Sequence, residues 1–132
     1  MPFVDAARAL VQRLPPSDTT RVVLEYLLRH GVGRANARPW NNIEQYLNAH
    51  GINMSQTQFQ QTILKETRSG DIFIGSNDRG TGRGYFLIKD KADAVLTREF
   101  YIRRITAERA NLKRSDSLIR QRWPKARRAS RV

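Results

Sequence analysis

Met54-Ser55-Gln56-Thr57-Gln58-Phe59 is the stretch on which the reading of this chain turns. Ser55 and Gln58 have the spacing of a capping box, in which the serine hydroxyl accepts the N–H of the third helical residue and the glutamine carbonyl accepts the cap's own N–H. Met54 and Phe59 stand where a hydrophobic staple closes over such a start. The pattern predicts a helix from Ser55 through Ile63 and Leu64 to about Arg68, ended by Gly70. Turning Phe59, Ile63, Leu64 and Thr67 inward at about 100° per residue turns Thr57, Gln58, Gln61, Thr62, Lys65 and Arg68 outward.

Beyond this helix the periodicity changes. Ile72-Phe73-Ile74 and Tyr85-Phe86-Leu87-Ile88 are β-prone runs, separated by a glycine-rich stretch from Gly75 to Gly84 that carries Arg79 and Arg83. They read as a hairpin with a long tip. Before the capped helix, Ile43, Tyr46 and Leu47 repeat at helical spacing up to Gly51, and Gly31 to Pro39 reads as a polar loop. Upstream again, Val23, Leu24, Leu27 and Leu28 mark a helix capped by Ser17 or Asp18. Val4, Ala7, Leu10, Val11 and Leu14 mark a first helix that must stop before Pro15 and Pro16.

From Asp90 onward Val95, Ile102, Ile105 and Leu112 follow a 7-3-7 spacing, interrupted by Arg109, with Leu118, Ile119 and Trp123 adding further helical turns. Residues 124–132 lack the apolar side chains of a core and are expected to be disordered when free. The expected organisation is therefore a domain at 1–90, a basic amphipathic helix or helices at 91–123, and a basic tail at 124–132.

Charge sharpens this division. In a chain of 132 residues, 24 Lys and Arg against 12 Asp and Glu give a formal charge of +12. Ten Arg and two Lys from Thr97 onward face only Glu99, Glu108 and Asp116, so +9 lies in that segment and +3 in the 96 residues before it. A basic extension on a nearly balanced domain suits a polyanion, because each neutralised phosphate releases condensed counterions. The absence of cysteine removes disulfides, thiolate metal sites and thiol redox chemistry. No apolar run approaches a membrane span, and no signal peptide is read at the start.

The order helix, helix, capped helix, hairpin resembles winged helix-turn-helix DNA-binding proteins, in particular small regulators of phages and other mobile elements. The resemblance covers about Thr19 to Asp90. Asn42 to Gly51, the turn to Met54 and the helix from Ser55 match the motif pair, and Gly70 to Gly75 with Gly84 to Ile88 match the wing. It implies a mainly α fold with a small β-hairpin (α+β), a winged helix-turn-helix with an extended C-terminal helix and basic tail. It also implies a helix that enters the major groove.

The outward residues suit that role. Gln pairs bidentately with adenine, Thr meets a thymine methyl or a phosphate, and Lys or Arg reaches guanine or backbone. Thr57, Gln58, Gln61, Thr62, Lys65 and Arg68 are thus the expected DNA-binding face, with Arg79 and Arg83 expected in a minor groove or on flanking phosphates. Arg103, Arg104, Lys113, Arg114, Arg120, Arg122, Lys125, Arg127 and Arg128 supply further phosphate contacts. Val95, Ile102, Ile105 and Leu112 either pair with a second copy or pack back on the domain, with pairing preferred.

Trp40 and Tyr46 are read as packing residues in preference to base-stacking platforms. His30 and His50 each precede a glycine at a helix end, where the helix dipole explains them better than catalysis. Gly80, Gly82 and Gly84 lack the following helix N-terminus of a nucleotide-binding loop. No enzyme, cofactor or metal is expected. The leading expectation is a cytoplasmic, nucleoid-associated transcriptional or mobile-element regulator bound to double-stranded DNA. An RNA-binding or ribosome-associated protein, and an interaction module of a phage or plasmid machine, stand as alternatives.

Overall fold

Apolar residues recurring every three to four positions bring the first helices together, and a carboxylate sets the turn between them. In the computed structural model, which describes residues 2–69, 72–78 and 83–124, α1 (Pro2–Arg13) ends before the two prolines. Asp18, and not Ser17, begins α2 (Thr19–His30) by accepting the Arg21 N–H at 3.2 Å. The Arg21 guanidinium donates to the Leu14 carbonyl and to Glu25, each at 2.6 Å, which ties the turn to the helix it precedes. α2 buries Val22, Val23, Leu24, Tyr26 and Leu27. α3 (Trp40–Ala49) adds Ile43 and Leu47 to the same core cluster.

The loop between α2 and α3, read from the sequence only as polar, is paired through its backbone with residues 85 and 87. The Leu87 N–H donates to the Gly31 carbonyl at 2.7 Å, the Gly33 N–H donates to the Leu87 carbonyl at 2.8 Å, and Arg38 and Tyr85 exchange both backbone bonds at 2.8 Å. A single 3₁₀ turn, Arg34–Asn36, spans the gap. Side-chain periodicity cannot reveal such pairing, because polar residues contribute it through main-chain atoms alone.

The capped helix forms as one continuous run: α4 (Gln56–Phe59), a π turn (Gln60–Leu64) and α5 (Lys65–Ser69). Ser55 Oγ accepts the Gln58 N–H at 3.1 Å, and Gln58 Oε1 accepts the Ser55 N–H at 2.9 Å. Phe59, Ile63, Leu64 and Thr67 are buried, and the Thr67 hydroxyl stays satisfied by donating to the Ile63 carbonyl at 2.8 Å. Met54 packs half-buried against the cluster that holds Phe59. The π turn was not legible, since nothing in the apolar spacing distinguishes it from regular helix.

β1 (Ile74–Asn77) and β2 (Gly84–Leu87) form an antiparallel pair in which Ile74 faces Leu87 and Gly75 faces Phe86. The strand therefore begins later than the apolar run and takes in Gly75, Ser76 and Asn77, which read as loop. Packing explains the shift. A Cβ on Gly75 would stand 2.5 Å from Thr97 Oγ1 and 2.8 Å from the Phe86 ring, so only glycine admits this approach. Gly84 has φ 121° and sits against the Arg38 carbonyl, where a side chain would overlap it. Tyr85 and Leu87 join the core cluster, while Phe86 and Ile88, on the opposite face by strand alternation, are also buried. The protein is thus mostly helical with one small antiparallel sheet.

α6 (Lys91–Arg122) is one helix. Asp90 starts it by accepting the Asp93 N–H at 2.9 Å, and the buried Asp93 carboxylate does the fastening. It accepts from the Arg34 N–H at 3.1 Å, the Arg34 guanidinium at 2.8 Å and the Lys89 N–H at 3.0 Å. Burial alone would raise its pKa, but the hydrogen bonds from Lys89 and Arg34 outweigh burial and hold it below the usual carboxylate range. The chain divides into two units, Met1–Thr97 and Arg98–Val132, with α6 running through the boundary. Among the described residues no helix is long and apolar enough to cross a membrane. The expected tail, with Lys125, Arg127 and Arg128, lies outside the described residues apart from Pro124, as do Arg79 and the rest of 79–82.

Candidate nucleic-acid interface

The exposed face of the capped helix is assembled by the burial of its opposite side. With Phe59, Ile63 and Leu64 inside, Thr57, Gln58, Gln61, Thr62 and Lys65 lie on the surface. They do not all keep their donors and acceptors for a ligand. Gln58 Oε1 is held by the cap, and the Thr62 hydroxyl donates to the Gln58 carbonyl at 2.6 Å. Thr57 and Gln61 make no comparable cap contact, and Lys65 is exposed on the same face. The Arg68 side chain lies outside the described residues.

One hydroxyl couples this helix to the hairpin. Tyr85 Oη accepts from Gln56 Nε2 at 3.1 Å and from Gln60 Nε2 at 3.0 Å, while its ring packs edge-on to Phe59 at 4.9 Å. Tyr85 is buried and the two bonds are part-buried, so the packed ring sets where the hydroxyl stands. Arg83, exposed, is two residues before Tyr85, and its Cα lies within about 7 Å of that residue's by chain geometry. The hairpin root and the start of the capped helix are therefore one fixed piece. The bridges from Arg38 and Gly33 to β2 hold its other edge.

Gln56, Gln60 and Tyr85 are the positioning residues that sequence reading missed. Glutamines four apart on a helix signal a shared face, but their common partner lies 25 positions beyond Gln60 and becomes visible only in the fold.

The aromatic residues of α2, α3 and the capped helix pack instead of presenting free rings. Trp40 is half-buried with its ring 5.1 Å from Phe59. Tyr46 stacks on Tyr26 at 4.8 Å and on His50 at 4.4 Å, and the His50 Nδ1–H donates to the Tyr46 carbonyl at 2.9 Å. His30 meets Tyr26 at 5.3 Å. Both histidines thus close helix ends against tyrosines. Among the described residues no group of three His, Cys, Asp or Glu side chains is placed to hold a metal ion.

In α6 the basic residues Arg104, Lys113, Arg114, Arg120 and Arg122 are exposed, and Arg103 is half-buried. Val95, Ile102, Ile105 and Leu112 are exposed as well, between 43% and 63%. No protein-family model matches this chain, and no curated protein or solved structure matches it either.

Proposed function

We propose that this protein is a winged helix-turn-helix DNA-binding protein that lays the helix beginning at Ser55 in a major groove and grips the flanking backbone with its hairpin and its basic C-terminal segment. The observation that carries the reading is the Tyr85 hydroxyl bonded to both Gln56 and Gln60, because it fixes a polar helix face beside an arginine-bearing hairpin. A groove reader needs that rigidity, since base contacts discriminate only when the side chains arrive in register. The segment Gly31–Arg38, bridged to β2, supports the winged reading by adding a third edge to the hairpin between the first two helices of the motif.

Roles divide by chemistry. Thr57, Gln61 and Lys65 read base edges, Gln58 maintains the helix start through its carbonyl oxygen while its amide N–H donates to phosphate, Thr62 meets a thymine methyl, and Arg83 takes backbone beside the groove. The +9 carried from Thr97 onward supplies salt-sensitive, sequence-independent affinity. Selection from a pool of random duplexes tests the assignment. The Gln61→Ala, Lys65→Ala double variant is expected to lose sequence preference while keeping salt-dependent background binding. An unchanged preference overturns the assigned face. Equal competition by structured RNA of the same length overturns DNA as the ligand.

A further inference from the structure

We propose that α6 beyond Thr97 pairs with the same segment of a second copy, in antiparallel orientation. The proposal is independent of what the rest of the chain binds. Its starting point is exposure: Ile102 is 43%, Ile105 51%, Leu112 63% and Trp123 60% accessible among the described residues. Apolar side chains at one helical face are costly to leave in water at such density.

The spacing defines a seam. Steps of four and three residues run from Arg98 through Ile102, Ile105 and Leu112 to Ile119 and Trp123, the pattern that keeps one stripe facing a neighbouring helix. The Trp123 N–H donates to the Ile119 carbonyl at 2.7 Å, so the helical course reaches the end of the stripe. Leu118, though exposed, falls on the opposite side. Two charged residues, Arg109 and Asp116, occupy the remaining seam positions.

The seam charges choose the orientation. Parallel, in-register pairing stacks Arg98 on Arg98, Arg109 on Arg109 and Asp116 on Asp116, which places three like-charged layers inside the seam. Antiparallel pairing with Arg109 opposite Leu112 avoids all three. Ile102 then meets Ile119, Arg98 meets the Trp123 indole, and each Arg109 has Asp116 of the second copy one turn away. On the flanks Glu99 faces Arg120 and Tyr101 faces Arg122, each contact occurring twice by symmetry. A slip of one heptad toward the N-terminal units sets Glu108 against Glu108. The chosen register keeps the seam within Arg98 to Trp123. Charge complementarity therefore names a second copy as the occupant.

The full-length chain has no cysteine, so introduced ones report unambiguously. Under mild oxidation, an Ile102→Cys, Ile119→Cys double variant is expected to give a covalent dimer. Ile102→Cys alone should not, because antiparallel pairing separates the two copies of position 102 by about 25 Å of helix rise. Cross-linking by the single variant, or by an Ile102→Cys, Leu112→Cys pair in preference to the first, overturns the arrangement. Charge reversal supplies a second readout by sedimentation. Glu99→Arg should weaken self-association roughly tenfold, through loss of two symmetric ion pairs and their replacement by repulsion, and adding Arg120→Glu should restore it. A monomeric wild-type chain across the concentration series, or no restoration, overturns the proposal.

Discussion

The capped helix and α6 both show a polar surface, yet they hold it in opposite ways. Residues 56–69 earn their exposed face by burying Phe59, Ile63, Leu64 and Thr67 beneath it. Beyond Thr97, α6 exposes its apolar seam along with its arginines. The difference teaches that similar helical sequence periodicity specifies tertiary packing in one segment and leaves apolar side chains exposed in the other. Deleting an apolar side chain should therefore have different consequences in the two places.

The largest expected effect breaks the first segment. Phe59→Ala removes a fully buried ring that packs on both Trp40 and Tyr85, and should cost about 3–5 kcal/mol of folding stability. Ile105→Ala, at an exposed position of α6, should change the unfolding free energy of the N-terminal unit by less than about 0.5 kcal/mol. Urea titrations of the two variants check the contrast. Equal losses would mean that α6 is as fully packed as the capped helix.

A smaller effect comes from the junction between the regions, where Asp93 fastens α6 to the Arg34 turn. Its folded-state pKa lies below the ordinary value of 3.8. The sign follows from linkage: above the unfolded pKa the carboxylate contributes its full stabilisation, and that contribution is lost as pH falls through the folded value. Stability from this group should thus be level from neutral pH down to about pH 4 and fall below it. Asp93→Asn should lower stability at neutral pH by about 1.5–3 kcal/mol and remove this part of the acid dependence, as followed by unfolding at a series of pH values.

The sequence revealed these regions unequally, for physical reasons. Ser55 and Gln58 announced their helix start because a capping box is a local interaction three residues long, and the buried set followed from period alone. The strand through Gly75-Ser76-Asn77 did not, because its reason is the space that Phe86 and Thr97 require. The Gly31–Arg38 pairing and the Asp93 clamp were equally hidden: one uses main-chain atoms, the other a partner 59 positions away. At the candidate site, outward residues were legible from the helix and the Tyr85 link was not. Exposure follows from periodicity, whereas mutual positioning of two elements depends on long-range contacts.

The smallest expected effect tests that link directly. Tyr85→Phe keeps the ring against Phe59 and removes only the oxygen that accepts from Gln56 and Gln60. Gln56 is exposed and can turn to water, so the stability loss should be only about 0.5–1.5 kcal/mol. Binding should respond differently from folding. If the hydroxyl serves to hold the hairpin root against the helix start, Tyr85→Phe will blur the preferred site in a random-duplex selection while the domain stays folded with only that modest loss of stability. Gln56→Ala, which leaves Gln60 bonded, should produce a weaker version of the same change. A preference untouched by Tyr85→Phe would show that the two elements are aligned by the Phe59 ring packing and the Arg38 bridge, and that the hydroxyl adds stability without setting register.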